Sequence, residues 1–149
     1  MKYRVIVIAG GTIEQAIGRD PHNRLKMTIR RDGRPAVTHY RIAEKYRAHT
    51  LLDINLETGR THQIRVHMAH LGHPVVGDSR YGARPKLASK PLAAFRLALG
   101  ELNRHVLHAK RLSFAHPFSA QQIVVDSPIP GEIGELLRLA NDDLRQAKP

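Results

Sequence analysis

Hydrophobic and polar positions alternate most cleanly over residues 50–58, where Leu52, Ile54 and Leu56 face one way and Asp53, Asn55 and Glu57 the other. A period of two marks a strand with one buried face. Residues 3–9 form a short apolar run that predicts a buried strand, and Gly10-Gly11 predicts a turn after it. In residues 36–47, Val37, His39, Arg41 and Ala43 share one parity while Thr38, Tyr40 and Ile42 share the other. Asp32-Gly33 suits a hairpin turn, so residues 25–30 and 36–47 are expected to pair. The period changes over residues 61–71. Ile64, Met68 and Leu71 fall at i, i+4 and i+7, which predicts a helix packed on the sheet by that face and stopped by Gly72 and His73-Pro74. A loop over 73–91 and a short helix over 91–103 follow. Residues 107–114 and 123–125 read as strands divided by a His116-Pro117 turn. Pro130 opens a last amphipathic helix with Ile133, Leu136, Leu137, Ala140 and Leu144 as its stripe. The fold class implied is α+β, a mixed and mostly antiparallel sheet with flanking helices.

Charge narrows the function. Among 149 residues, 24 Lys and Arg stand against 13 Asp and Glu, a net charge of +11. An excess of that size is the electrostatic footprint of a nucleic-acid binder. Arginine dominates it, and a guanidinium grips phosphate with two parallel hydrogen bonds where lysine offers a point charge. Aromatics are 5% and tryptophan is absent, which argues against a base-stacking sheet. With no cysteine, disulfides and cysteine-ligated zinc are excluded; that usage fits a cytoplasmic setting. No apolar run approaches the ~18 residues of a membrane span, and no phosphate-cradling glycine loop or nucleophile elbow is present. No cofactor, nucleotide or metal is expected.

The densest chemistry lies in Leu56-Glu57-Thr58-Gly59-Arg60-Thr61-His62-Gln63-Ile64-Arg65-Val66-His67. A strand ends, a Thr-Gly turn intervenes and a helix begins. A helix start exposes unpaired N–H groups and a partial positive charge. Two arginines and two histidines added there make a place for an anion or a buried carboxylate. Arg65 lies away from the Ile64, Met68 and Leu71 face, and His62 and His70 share the polar side. His67 and His70 could approach each other as metal ligands, but the carboxylate nearest to them in sequence is Asp78, too little for a metal site.

This run resembles the third signature motif of the RluA/RluD-type RNA pseudouridine synthases. Four further stretches resemble the same family in order: Lys2-Tyr3-Arg4-Val5-Ile6-Val7, Arg34-Pro35-Ala36-Val37-Thr38-His39-Tyr40-Arg41, Gly72-His73-Pro74-Val75-Val76-Gly77-Asp78-Ser79-Arg80-Tyr81-Gly82, and Leu107-His108-Ala109 with Phe114-Ala115-His116-Pro117. Pro128-Ile129-Pro130 then precedes a closing helix, as in that family. The resemblance implies isomerisation of uridine to pseudouridine in RNA, with large-subunit ribosomal RNA as partner and no cofactor. An aspartate starts cleavage of the glycosidic bond, the uracil turns, and a carbon–carbon bond forms. Tyr3 is the implied active-site tyrosine and Arg65 the arginine that pairs with the aspartate. Arg60 and His62, with Arg19, Arg24, Arg30, Arg31, Arg80 and Arg84, are the implied RNA contacts.

The family's aspartate sits in an Arg-Leu-Asp motif ahead of the tyrosine, and none of the seven aspartates here follows Arg-Leu. The 149 residues are therefore expected to be the C-terminal portion of a catalytic domain, inactive alone and without the S4-type RNA-binding domain often attached. The rival expectation is a non-catalytic basic RNA-binding module derived from the same fold. Without the aspartate, Arg65 is expected to lack its carboxylate partner, with water, an anion or another acid in the gap. Its loss should then barely destabilise the chain.

Overall fold

The computed structural model describes residues 10–82 and 86–147. The expected strand at 3–9, with Tyr3, and Arg84 lie outside them. Three antiparallel strands form the main sheet, in the order β1 (Gly10–Glu14), β4 (Val37–Lys45), β5 (Thr50–Leu56). A hairpin, β2 (Ile17–Arg19) with β3 (Met27–Ile29), lies between β1 and β4 in sequence. After β5 come α1 (Gln63–His70) and α2 (Ala93–Gly100), then the hairpin β6 (Arg111–Ala115) and β7 (Gln122–Asp126), and α3 (Gly131–Gln146). Every strand pairing among the described residues is antiparallel. The α+β class read from the sequence holds.

Two pairings differ from expectation. Gly10-Gly11 is not a turn but the start of β1, paired with Arg41 and Tyr40. The Tyr40 ring lies across Gly11, where a Cβ would sit 2.8 Å from the phenolic oxygen. Glycine marks close packing in a strand here, as it often does. The expected pairing of 25–30 with 36–47 does not form. β3 pairs with β2, register Ile17↔Ile29, and β4 lies between β1 and β5. Asp32-Gly33 does turn the chain, but Arg34 leaves that turn by exchanging both backbone hydrogen bonds with Ile17, at 2.9 Å each. That exchange directs the chain to the hairpin side before β4 begins.

The core is divided. Phe95 and Leu99 of α2 pack against Leu136, Leu139 and Ala140 of α3. Ile17, Ala36 and Val66 form a second cluster, flanked by Met27, Ile29 and Tyr81, which joins the hairpin, the residue before β4 and α1. In α3 the expected Ile133, Leu136 and Ala140 are buried, while Leu139 and Asp143 take the places expected of Leu137 and Leu144, which are half-buried. Asp143 is tolerated inside because it accepts hydrogen bonds from Arg47 Nη1 at 3.1 Å and the Leu92 amide at 2.6 Å. A buried carboxylate with a charged partner and an amide donor is satisfied rather than stranded.

Candidate functional site

One side chain makes most of the hydrogen bonds that hold the turn before α1. Gln63 is buried and uses its full hydrogen-bonding capacity. Its Oε1 accepts from the Thr58 hydroxyl and the Arg60 amide, both at 2.9 Å. Its Nε2 donates to the Val37 carbonyl at 2.9 Å and to Thr38 Oγ1 at 3.0 Å. Thr58, Gly59 and Arg60 are thus pinned to the start of β4. The network continues inward. His67, with no exposed surface, lies 2.8 Å from Thr38 Oγ1 through Nδ1 and 3.0 Å from the Gln15 carbonyl through Nε2. A carbonyl only accepts, so Nε2 carries the proton and Nδ1 accepts from the threonine hydroxyl. Burial holds the imidazole below its ordinary pKa and keeps it neutral.

These contacts correct the expected helix face. α1 turns Gln63, Val66, His67 and Met68 inward, while Leu71 is exposed and Ile64 half-buried. Two polar side chains with a complete set of partners displace two aliphatic ones from the interior.

Arg65 is not unpartnered. Its Nε and Nη2 donate to Asp78 Oδ2 and Oδ1 at 2.7 and 2.8 Å. The Asp78 side chain is 0% exposed and that of Arg65 13%. Asp78 also accepts from the Arg80 and Tyr81 amides, each at 3.0 Å. Burial opposes its ionisation, but the hydrogen bond from Arg65 and the two amides outweigh burial and lower its pKa to about 2. Of the occupants expected beside Arg65, an acid is the one present. The expectation that the guanidinium faces no buried charge is overturned. Asp78 can reach it because Gly77, at φ 75°, lets the loop run against the Arg104 carbonyl, where a Cβ would sit 2.2 Å from that oxygen. Arg65 also stacks over the Tyr81 ring, 4.9 Å from its centroid.

In front of this buried wall lies a cleft of about 620 Å³ between the β2–β3 hairpin and the turn before α1. Among the described residues, Arg19, Arg24, Arg34, Arg60 and His62 line it, with Asp32 as the one carboxylate. Four guanidiniums against one acid make it an anion-attracting groove. Arg60 is steadied by donating to the Pro35 carbonyl at 3.1 Å. Arg80 donates to the Leu25 carbonyl at 2.8 Å and so braces the hairpin that walls the cleft. Arg65 is not among the lining residues. Arg30 is committed to Asp32 through a two-pronged ion pair, and Arg31 is exposed outside the lining set. Arg34 lines the cleft although it was not among the implied RNA contacts. Its position beside Gly33 and Pro35, in a run of alternating basic and turn residues, was the available signal.

The sequence profile of the RNA pseudouridylate synthase family matches residues 1–70. Ribosomal large subunit pseudouridine synthase D of Xanthomonas campestris pv. campestris is 47% identical over 141 residues, covering 95% of this chain and 43% of that protein. The protein of that name from Escherichia coli is 46% identical over 140 residues, 94% of this chain and 43% of its own. The chain thus spans less than half the length of these curated relatives. Among solved structures, human RNA Pseudouridylate Synthase Domain Containing 1 superposes with a TM-score of 0.62 at 30% identity, over 83% of this chain and 49% of that one. Human RNA Pseudouridylate Synthase Domain Containing 4 shares the fold, with a TM-score of 0.65 at 21% identity over 89% and 57%.

Proposed function

The chain belongs to the RNA pseudouridylate synthase family, and from that premise we propose that it is the part of a large-subunit ribosomal RNA pseudouridine synthase that carries the RNA cleft and the arginine behind it. The reading rests on 46–47% identity over nearly the whole chain to proteins of that name. The basic cleft supports it. Arg19, Arg24, Arg34 and Arg60 meet phosphates, which fix the RNA in register without reading its sequence. The reaction breaks the bond between ribose and uracil nitrogen and remakes it at carbon 5, so it consumes no co-reactant. In this reading the family's aspartate starts the cleavage, and the role the resemblance implies for Tyr3 is contact with the base.

Arg65 fits its family role through its unused donors. A guanidinium has five N–H groups, and Asp78 engages Nε and Nη2. Among the described residues Nη1 and the second Nη2 hydrogen have no partner, which leaves them to pair with the aspartate nucleophile, while Asp78 fixes the plane of the group. Among the described residues no helix is long and apolar enough to cross a membrane. The cytoplasm, where ribosomes are built, is the proposed place of action.

The test joins this chain to the upstream half of the Xanthomonas campestris relative and measures pseudouridine in large-subunit ribosomal RNA by carbodiimide adducts. Conversion by the joined protein and none by the 149 residues alone is expected. The chain alone should bind RNA with a log–log salt slope of about 3, since four neutralised phosphates contribute ~0.7–0.9 each. Binding without conversion in the joined protein favours a non-catalytic RNA-binding module. Salt-insensitive binding, or none, overturns both readings.

A further inference from the structure

His62 has an unusual backbone for its place. It caps α1 at φ 57° and ψ 19°, the left-handed region, and its side chain makes no capping hydrogen bond. A residue with a Cβ is disfavoured there, and such strain gathers at sites with a task. The conformation sends the imidazole to Tyr81, where Nδ1 lies 2.7 Å from the phenolic oxygen with the rings edge to face. That oxygen also accepts the Met27 amide at 2.8 Å. A phenol has one proton to give, and among the described residues its acceptor is Nδ1 of His62. Nδ1 is therefore bare and the ring proton sits on Nε2.

Nε2 has no partner among the described residues, and His62 lines the basic cleft. Burial disfavours the imidazolium, and Arg65 and Arg80 disfavour it further, so the ring stays neutral. The cleft wall thus offers two kinds of donor. Its guanidiniums suit phosphate. An uncharged N–H of fixed tautomer suits an uncharged acceptor; RNA offers ribose oxygens, purine and cytosine ring nitrogens and base carbonyls, and a uracil ring offers only its carbonyls. Building on the RNA reading of this cleft, we propose that His62 reads a base carbonyl through Nε2–H and that Tyr81 is the positioning residue that fixes its tautomer.

Two measurements on the 149-residue chain test this. Long-range proton–nitrogen spectra of histidine-labelled protein should show His62 as a single Nε2–H tautomer, turning into a tautomer mixture in Tyr81→Phe. A uridine oligomer and an abasic oligomer of equal length carry the same phosphates but differ in base carbonyls. His62→Asn, which tolerates the left-handed backbone but is too short to reach, should weaken uridine-oligomer binding about 10-fold, the scale of one hydrogen bond. It should leave the abasic oligomer and the salt slope unchanged. His62→Gln, whose amide nitrogen reaches the Nε2 position, should recover most of the loss. An Nδ1–H tautomer overturns the proposal. So do equal losses on both oligomers, which would make His62 a phosphate contact, and equal losses in the Asn and Gln variants. Binding that His62→Asn leaves untouched overturns this inference alone. Failure of the unmodified chain to bind either oligomer overturns the RNA reading and this inference with it.

Discussion

One chemical pair, an arginine holding an aspartate with two hydrogen bonds, recurs in this molecule in opposite surroundings. Arg65 grips Asp78 with two hydrogen bonds beneath the cleft, and Arg111 grips Asp126 with two across the β6–β7 hairpin, at 2.6 and 3.0 Å. In bond geometry the two are close to interchangeable. The first pair is sealed, with Asp78 0% exposed and two backbone amides added to its shell. The second stands in water, with side chains 65% and 58% exposed. In water both partners keep solvent alternatives and lose side-chain freedom on pairing, so little net stability results. Beneath the cleft Asp78 has no water to replace the guanidinium, and the pair matters through the carboxylate its loss would strand. Bond length cannot separate a structural ion pair from an ornamental one; burial and the remaining shell can.

The comparison is broken most directly by Arg65→Ala. It leaves the Asp78 carboxylate buried without its charge partner, and a loss of about 3–5 kcal/mol is expected. Against a typical domain stability of ~5–15 kcal/mol that is severe. Urea unfolding followed by far-ultraviolet dichroism measures it, and a loss below about 1 kcal/mol would mean the pair is solvated after all.

Acid sharpens the contrast next. Asp78 ionises near 2 when folded and near 3.8 when free. A depressed carboxylate contributes stability that is full above 3.8 and lost as the pH falls through about 2, here roughly 2 kcal/mol. His67 acts at milder pH with the same direction. Its folded pKa lies below the ordinary 6.5, so the unfolded chain takes up the proton first and stability declines as pH drops below 6.5. Thermal midpoints between pH 8 and pH 2 should therefore fall in two stages. In His67→Gln the first stage should be reduced; a first stage left at full size would remove His67 from the account.

Arg111→Ala should give the smallest effect, an unfolding midpoint indistinguishable from that of the unmodified chain. A clear loss there would show that exposed two-pronged pairs carry weight in this protein, and the contrast would fail.

The cleft region shows where sequence reading succeeds and stops. The helix after Gly59, the strand before it and the final helix follow from local periodicity and stop signals, and they stand where those signals put them. The inward face of α1 does not follow, because periodicity counts aliphatic positions. Gln63 and His67 enter the interior on the strength of partners at Val37, Thr38 and Gln15, which no local pattern reveals. Asp78 was visible only as a carboxylate in a loop. Its pairing with Arg65 depends on a chain reversal at Gly72 and a close approach at Gly77. Tyr81 was readable as part of a family-like loop, yet its bridge from Met27 to His62 depends on a hairpin pairing that the sequence assigned elsewhere. The basic character of the cleft was legible in composition. Which arginines face it was not, since Arg30 is spent on Asp32 while Arg34 lines the cleft.

The hydrogen bonds behind α1 also have a direction. Gln63 donates to Thr38, Thr38 donates to His67, and His67 donates to the Gln15 carbonyl. Thr38 has no exposed surface, so its hydroxyl proton can meet water only when this part of the molecule opens. Hydroxyl protons normally trade with solvent too quickly to be seen as separate resonances; one sealed in a relay persists. The Thr38 proton is thus a built-in clock for the opening of the wall behind the cleft, and its exchange rate reports the integrity of the site in a tube that holds no RNA at all.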